Sequence, residues 1–148
     1  MSRTKFIAGN WKMNLTRAEA TALVAGLAPL VAGKSGVEFA VCPTFTALDA
    51  ALVAAKGTKI QVGAQNCYAV EKDGKLVNAG AYTGEVSAPM LADAGVSWVI
   101  LGHSERRQYF GETDASVAIK ARAVFAAGLK PIICVGETQA ERDEGRAE

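Results

Sequence analysis

Residues 98–107 read Trp98-Val99-Ile100-Leu101-Gly102-His103-Ser104-Glu105-Arg106-Arg107. An apolar run of strand length breaks at a glycine and passes at once into polar and charged residues. Trp98 to Gly102 reads as a strand, the fourth in the chain. Ser104 can open a short helix through Tyr109. Side chains alternate along a strand, so His103 lies on the face of Val99 and Leu101. It is the only histidine among 148 residues, so any imidazole chemistry in the chain must use it. A helix N-terminus beside it disfavours imidazolium and favours a neutral ring that can donate a hydrogen bond.

Four similar units flank this one. A strand around Phe6 to Trp11 precedes Thr16-Arg17-Ala18-Glu19, a capping box that starts a helix. Leu23, Val24, Leu27 and Leu30 give that helix one apolar face, and Gly33 and Gly36 stop it. Glu38 to Cys42 is a second strand. Thr44 or Thr46 then caps a helix bearing Leu48, Leu52 and Ala55. Ile60 to Asn66 is a third strand. The long connection from Cys67 to Glu85 contains Asp73-Gly74, a tight-turn pair that predicts a polar hairpin or protruding loop. Ser87 caps a short helix with Pro89 in its first turn. After the quoted stretch, Thr113 or Asp114 caps a helix with Val117, Ala121, Val124 and Phe125 on one face. Lys130 to Val135 is a fifth strand, and Thr138 opens a charged helix over 139–148.

Alternation of strands and helices implies a parallel α/β sheet with right-handed crossovers. Length alone favours an open five-stranded doubly wound sheet. The strand centres, however, recur about every 31 residues on average, and eight such units make the roughly 250 residues of a β/α barrel.

Composition narrows the function. Sixteen Lys and Arg against fifteen Asp and Glu leave a net charge of +1, which gives no basic excess for nucleic acid. Half the residues are hydrophobic, so the chain is not intrinsically disordered. The longest apolar runs are too short to span a membrane. The apolar stretch near the start is too short for a signal peptide core, so a cytoplasmic protein is expected. Cys42, Cys67 and Cys134 are widely spaced and read as reduced thiols rather than disulfides or metal ligands. With one histidine and no clustered cysteines, no metal site is expected.

In parallel α/β folds ligands bind at the C-terminal strand ends. The first strand delivers Asn10 and Lys12 there, an amide and an ammonium suited to an anionic, oxygen-rich ligand. Taken alone, such a pair is more often solvated. The fifth strand delivers Cys134 and Glu137, the former most simply a packed thiol.

These strand-end residues together carry a resemblance. Ala8-Gly9-Asn10-Trp11-Lys12-Met13-Asn14, Gly63-Ala64-Gln65-Asn66, Gly80-Ala81-Tyr82-Thr83-Gly84-Glu85, Leu101 to Arg107 and Cys134-Val135-Gly136-Glu137-Thr138 resemble, in order, the triosephosphate isomerase family. The resemblance implies a (β/α)₈ TIM barrel rather than an open sheet. The 148 residues would be a single partial domain, a truncated segment of about five strands and four to five helices. It implies interconversion of dihydroxyacetone phosphate and D-glyceraldehyde 3-phosphate, in glycolysis and gluconeogenesis, without cofactor or metal.

Carried over by residue, Asn10, Trp11 and Lys12 resemble the substrate-binding segment of strand one, with Lys12 offsetting charge on phosphate and enediolate. His103 resembles the electrophile, and Glu105 the acid that orients Lys12. Cys134 resembles a cysteine packed near the catalytic base. Thr83, Gly84 and Glu85 resemble the loop that reaches into a partner subunit, implying a homodimer. The connection around Glu71 to Asn78 is longer than the family's usual loop and lies beside that contact. The family's catalytic base is a glutamate after strand six, which these 148 residues do not include, and Glu137 matches a different position. The expectation is therefore a chain inactive or nearly so by itself, since loss of a positioned base costs about two to four orders of magnitude. One alternative is a non-catalytic barrel fragment that self-associates or is completed by another chain. Another is an open-sheet phosphate-binding module.

Overall fold

The computed structural model describes residues 3–145. Five parallel strands form one sheet in the order β1 (Lys5–Asn10), β2 (Val37–Cys42), β3 (Ile60–Ala64), β6 (Trp98–Leu101), β7 (Lys130–Ile133). Between them run α1 (Arg17–Ala32), α2 (Leu48–Ala55), α3 (Ala88–Ala94), α4 (Ser104–Phe110) and α5 (Asp114–Ala126), and α6 (Gln139–Asp143) follows. A separate antiparallel hairpin, β4 (Val70–Lys72) with β5 (Lys75–Val77), occupies the long connection. Asp73 at φ 50 and Gly74 at φ 72 form its two-residue turn. Both central residues have positive φ, as the primed hairpin turn requires.

Curvature separates this sheet from an open one. Phe6 on β1 stacks on Trp98 of β6 with ring centroids 4.1 Å apart, although β2 and β3 lie between them. Three strand spacings cover about 14 Å on a flat sheet, so the sheet is curled into a half-barrel with both rings on its concave side. Trp98 donates Nε1–H to Gln61 Oε1 at 2.8 Å, and Gln61 donates to Glu38 Oε2 at 3.1 Å, so the same concave floor carries a polar ladder across three strands.

The capping box expected at Thr16 and Glu19 forms; Thr113 rather than Asp114 caps α5 and Thr138 caps α6, each also closing a box, with Ser116 and Glu141. Other sequence expectations change. Neither Thr44 nor Thr46 caps α2: a single 3₁₀ turn, Phe45–Ala47, intervenes, and the N-cap is Ala47. Ser87 stands at the N-cap of α3 without a side-chain capping bond. The buried line of α1 runs through Ala20 and Val24, with Leu27 and Val31 partly covered, while Leu23 and Leu30 are exposed. Alanine at position 20 lets the helix sit close to its neighbours, which rotates the larger leucines to the flank. Phe125 is exposed for a similar reason: α5 docks through Val117, Ala121 and Val124, and Phe125 lies one residue off that line. The described part of the last helix ends at Asp143, before Gly145 at φ 66, and residues 146–148 of the expected helix lie outside the described residues.

The core lies between the sheet's convex face and the helices, and one charged cluster is built into it. Lys120 on α5 donates to Asn66 Oδ1 at 3.0 Å and is ion-paired with Glu112; Arg106 on α4 donates to the same Glu112 oxygen at 2.9 Å. The Lys120 and Glu112 side chains are only 8% and 5% exposed. Burial pushes the Glu112 carboxyl upward, but the bonds from Lys120 and Arg106 outweigh it and hold the group below its ordinary value. A carboxyl depressed in the folded state adds stability above its unfolded titration range, and that stability is lost as pH falls through the folded value. Glu112→Ala leaves Lys120 buried without its counter-charge, so it should lower unfolding free energy by about 3–5 kcal/mol. It should also flatten the acid limb of stability against pH. Denaturant unfolding across pH 3–7 measures both, and a loss under about 1 kcal/mol would mean that the pair behaves as a surface bridge.

Candidate functional site

The C-terminal ends of β1, β3 and β6 open into one cleft of about 570 Å³ lined by Asn10, Lys12, Gln65, His103 and Glu105 among others. Gly102 makes the exit from β6 possible. It sits at φ 67, and a Cβ there would meet Val117 Cγ2 at 2.8 Å and Arg107 at 2.9 Å. The left-handed turn at Gly102 sends the chain from strand into α4, and His103 becomes the N-cap of that helix.

The cap fixes the imidazole. Nδ1 of His103 accepts the backbone N–H of Glu105 at 3.2 Å. With Nδ1 used as an acceptor, the neutral ring carries its proton on Nε2. A Glu105 carboxylate oxygen lies 3.5 Å from the same Nδ1, too far for a good hydrogen bond, so the backbone contact decides the tautomer.

Glu105 turns its carboxylate to Lys12, whose ammonium donates to Oε1 at 2.7 Å. That bond, together with the positive charge of Lys12, holds the Glu105 carboxyl below the ordinary glutamate range. Lys12 itself has φ 53, a left-handed conformation rarely adopted by a residue with a long side chain. Its N–H is received by Asn10 Oδ1 at 2.9 Å, and its carbonyl accepts from Gln65 Nε2 at 2.8 Å.

Of the residues expected at the site, Asn10, Lys12, His103 and Glu105 meet in this cleft. The Trp11 side chain does not. It lies on the opposite face, beside Leu27 and Val31, because alternation along β1 turns residue 11 away from residues 10 and 12. The Trp11 side chain is therefore outside the lining of the cleft. Trp11 joins the site through its backbone, its N–H donating to Cys42 O at 3.1 Å and its carbonyl accepting from Asn14 Nδ2 at 2.8 Å. Cys134 stands at the end of β7, with its N–H on Leu101 O at 2.9 Å, outside the lining of the cleft. Thr83, Gly84 and Glu85 are exposed in a turn closed by Glu85 N–H on Tyr82 O at 3.1 Å. The hairpin beside them is tied back to the body by an ion pair between Glu71 and Arg122 and by Leu76 against the core.

Pattern alone gave no role to Gln65 or Asn66, though both lie in a quoted motif. Gln65 bridges the carbonyls of Lys12 and Cys42, and Asn66 receives Lys120. Their position just after a strand is the signal that could have found them. Among the described residues, no cluster of three or more His, Cys, Asp or Glu side chains could hold a metal ion, and no helix is long and apolar enough to cross a membrane.

Residues 5–148 match the family model described as triosephosphate isomerase. The chain belongs to the triosephosphate isomerase family. A triosephosphate isomerase of Pelobacter propionicus is 55% identical over 141 residues, which are 95% of this chain and 53% of that relative. One of Moorella thermoacetica is 55% identical over 143 residues, covering 97% and 54%. The solved triosephosphate isomerase of Bartonella henselae superposes with a TM-score of 0.87 at 41% identity, covering 98% of this chain and 57% of that one. The chain thus spans about half the length of the curated relatives it matches, and its curled sheet is part of a TIM barrel.

The three thiols are free and differ in exposure. Burial pushes Cys42 up to about 12 and Cys67 up to about 11. Burial also raises Cys134, but Arg107 offsets part of it. Since the thiolate is the reactive form, iodoacetamide at neutral pH should label Cys134 first and leave Cys42 and Cys67 unmodified until the chain unfolds. Peptide mapping by mass spectrometry reads this directly; early labelling of Cys42 would contradict the packing around β2 and β3.

Proposed function

We propose that this chain supplies the electrophilic and cationic half of a triosephosphate isomerase site, for interconversion of dihydroxyacetone phosphate and D-glyceraldehyde 3-phosphate. One observation carries the reading: the single residue Glu105 fixes His103 through its backbone and Lys12 through its carboxylate, so a donor N–H and an ammonium face one cleft. A neutral imidazole donating from Nε2 can polarise a carbonyl and stabilise an enediolate oxygen. The Lys12 ammonium offsets the negative charge of a phosphorylated triose, and Asn10 holds the lysine's backbone in place.

Isomerisation also needs a base to move a proton between neighbouring carbons. Glu105 is the one carboxylate lining the cleft among the described residues, and it is committed to Lys12. The base is therefore assigned to the portion of the relatives' length that this chain does not span. The same reading brings a cytoplasmic setting and a homodimer through Thr83, Gly84 and Glu85.

A second reading has its own observation. Among the described residues β1 pairs only with β2 and β7 only with β6, and Ile7 and Ile133 on those outer strands are exposed. Free edges of this kind pair readily, so self-association of the chain follows, by sedimentation a concentration-dependent mass.

The test joins the 148-residue chain to the part of the Pelobacter propionicus relative that it does not span. The extended protein should isomerise triose phosphates, and His103→Gln within it should reduce kcat by about 10²–10⁴-fold. The 148-residue chain alone should show no turnover above background. Full activity of the His103→Gln protein, or robust turnover by the chain alone, would overturn the reading.

A further inference from the structure

Gln65 follows β3 and lines the cleft, yet nothing in the proposed chemistry uses it. Its side-chain amide makes two bonds, to Lys12 O at 2.8 Å and to Cys42 O at 2.9 Å. Both partners are carbonyls, so both must be met by N–H, and the amide's two donors are consumed together. Cys42 O is also the acceptor for Trp11 N–H. The ends of β1, β2 and β3 are therefore gathered at one amide group.

What that amide holds is strained. Lys12 has φ 53, and such a conformation persists only where its surroundings over-determine it. The contacts at Lys12 are few. Asn10 receives its N–H, Gln65 holds its carbonyl, and Glu105 receives its ammonium. The ion pair is half-exposed on both sides and cannot hold the backbone by itself, because exposed pairs are weak. Asn10 stands two residues earlier, at the end of β1, and would move with it. Gln65 is the anchor that comes from another strand.

We infer that Gln65 is a positioning residue: its amide clamps the left-handed Lys12 peptide to the end of β2 and so keeps the ammonium aimed at Glu105 and the cleft. Without the clamp, Lys12 relaxes toward an ordinary backbone conformation and its side chain leaves Glu105. The inference rests on the reading of Lys12 as the cation of the site, but its consequence appears in the free chain, without substrate or turnover.

The experiment follows the Glu105 carboxyl carbon by NMR through an acid titration, in the unaltered 148-residue chain and in Gln65→Leu, which is close in size but has no donors. In the unaltered chain Glu105 should titrate below the ordinary glutamate range. In Gln65→Leu its midpoint should move upward, toward that of Lys12→Ala, which removes the ammonium outright. Glu19, held low by its bonds to Thr16 at the start of α1, should keep its midpoint in every variant, which shows that the α1 capping box is intact. A Gln65→Leu chain in which Glu105 titrates as in the unaltered chain, while Lys12→Ala shifts it, overturns the inference.

Gln65→Asn covers the case in which Gln65→Leu fails to fold. It keeps the amide but is one methylene short of bridging both carbonyls, so it should shift Glu105 in the same direction, and no shift overturns the inference equally. These titrations need no isomerase activity, so a failure of the proposed reaction and a failure of the Gln65 clamp are separate results.

Discussion

Glu105 is bonded in two directions. Its backbone N–H enters the imidazole of His103, and its carboxylate takes the ammonium of Lys12, which stands 93 residues earlier in the chain. The first contact sets which ring nitrogen carries the proton; the second sets where the positive charge sits. Both contacts depend on where the first residues of α4 are placed. The cleft thus behaves as one arrangement rather than a set of independent side chains.

The elements around it can be read as what this constraint requires. A strand must stop abruptly and a helix must begin at once, which Gly102 permits and no residue with a Cβ could, given Val117 2.8 Å from where it would lie. The helix must not rotate, and Arg106 ties it to Glu112 and, through that carboxylate, to Lys120 and Asn66. Buried ionic groups of this kind are not cheap stabilisers, since desolvation offsets much of their attraction. Their directional bonds fix α4 and α5 against the end of β3 in one register. On the other side, the β1 end must place Lys12 through a backbone conformation that its own residue type resists. Strain on one side and a buried charge on the other mark the two places where this fold departs from simple packing.

Much of this was legible in the sequence. The strand and helix units, the Thr16 capping box, the Asp73-Gly74 hairpin and the strand-end placement of Asn10, Lys12, His103 and Glu105 follow from local rules of period, cap and turn. What was not legible depended on distance or on size. The curl of the sheet is visible only when Phe6 meets Trp98. The docking line of α1 passes through Ala20 rather than Leu23 or Leu30, because close approach favours the smaller residue over the more hydrophobic one. Trp11 sits in a motif that suggests binding, yet strand alternation carries its ring to the other face. Gln65 and Lys120 look like ordinary surface residues by type, and their roles depend on partners distant in the sequence, Lys12 for Gln65 and Asn66 for Lys120.

The site is already set in the chain before any ligand arrives. The ¹⁵N spectrum of His103, recorded by long-range correlation at neutral pH on the unliganded chain, tests it most directly. A neutral ring protonated on Nε2, with Nδ1 shifted as a hydrogen-bond acceptor, is the predicted result. A neutral ring protonated on Nδ1 would contradict it.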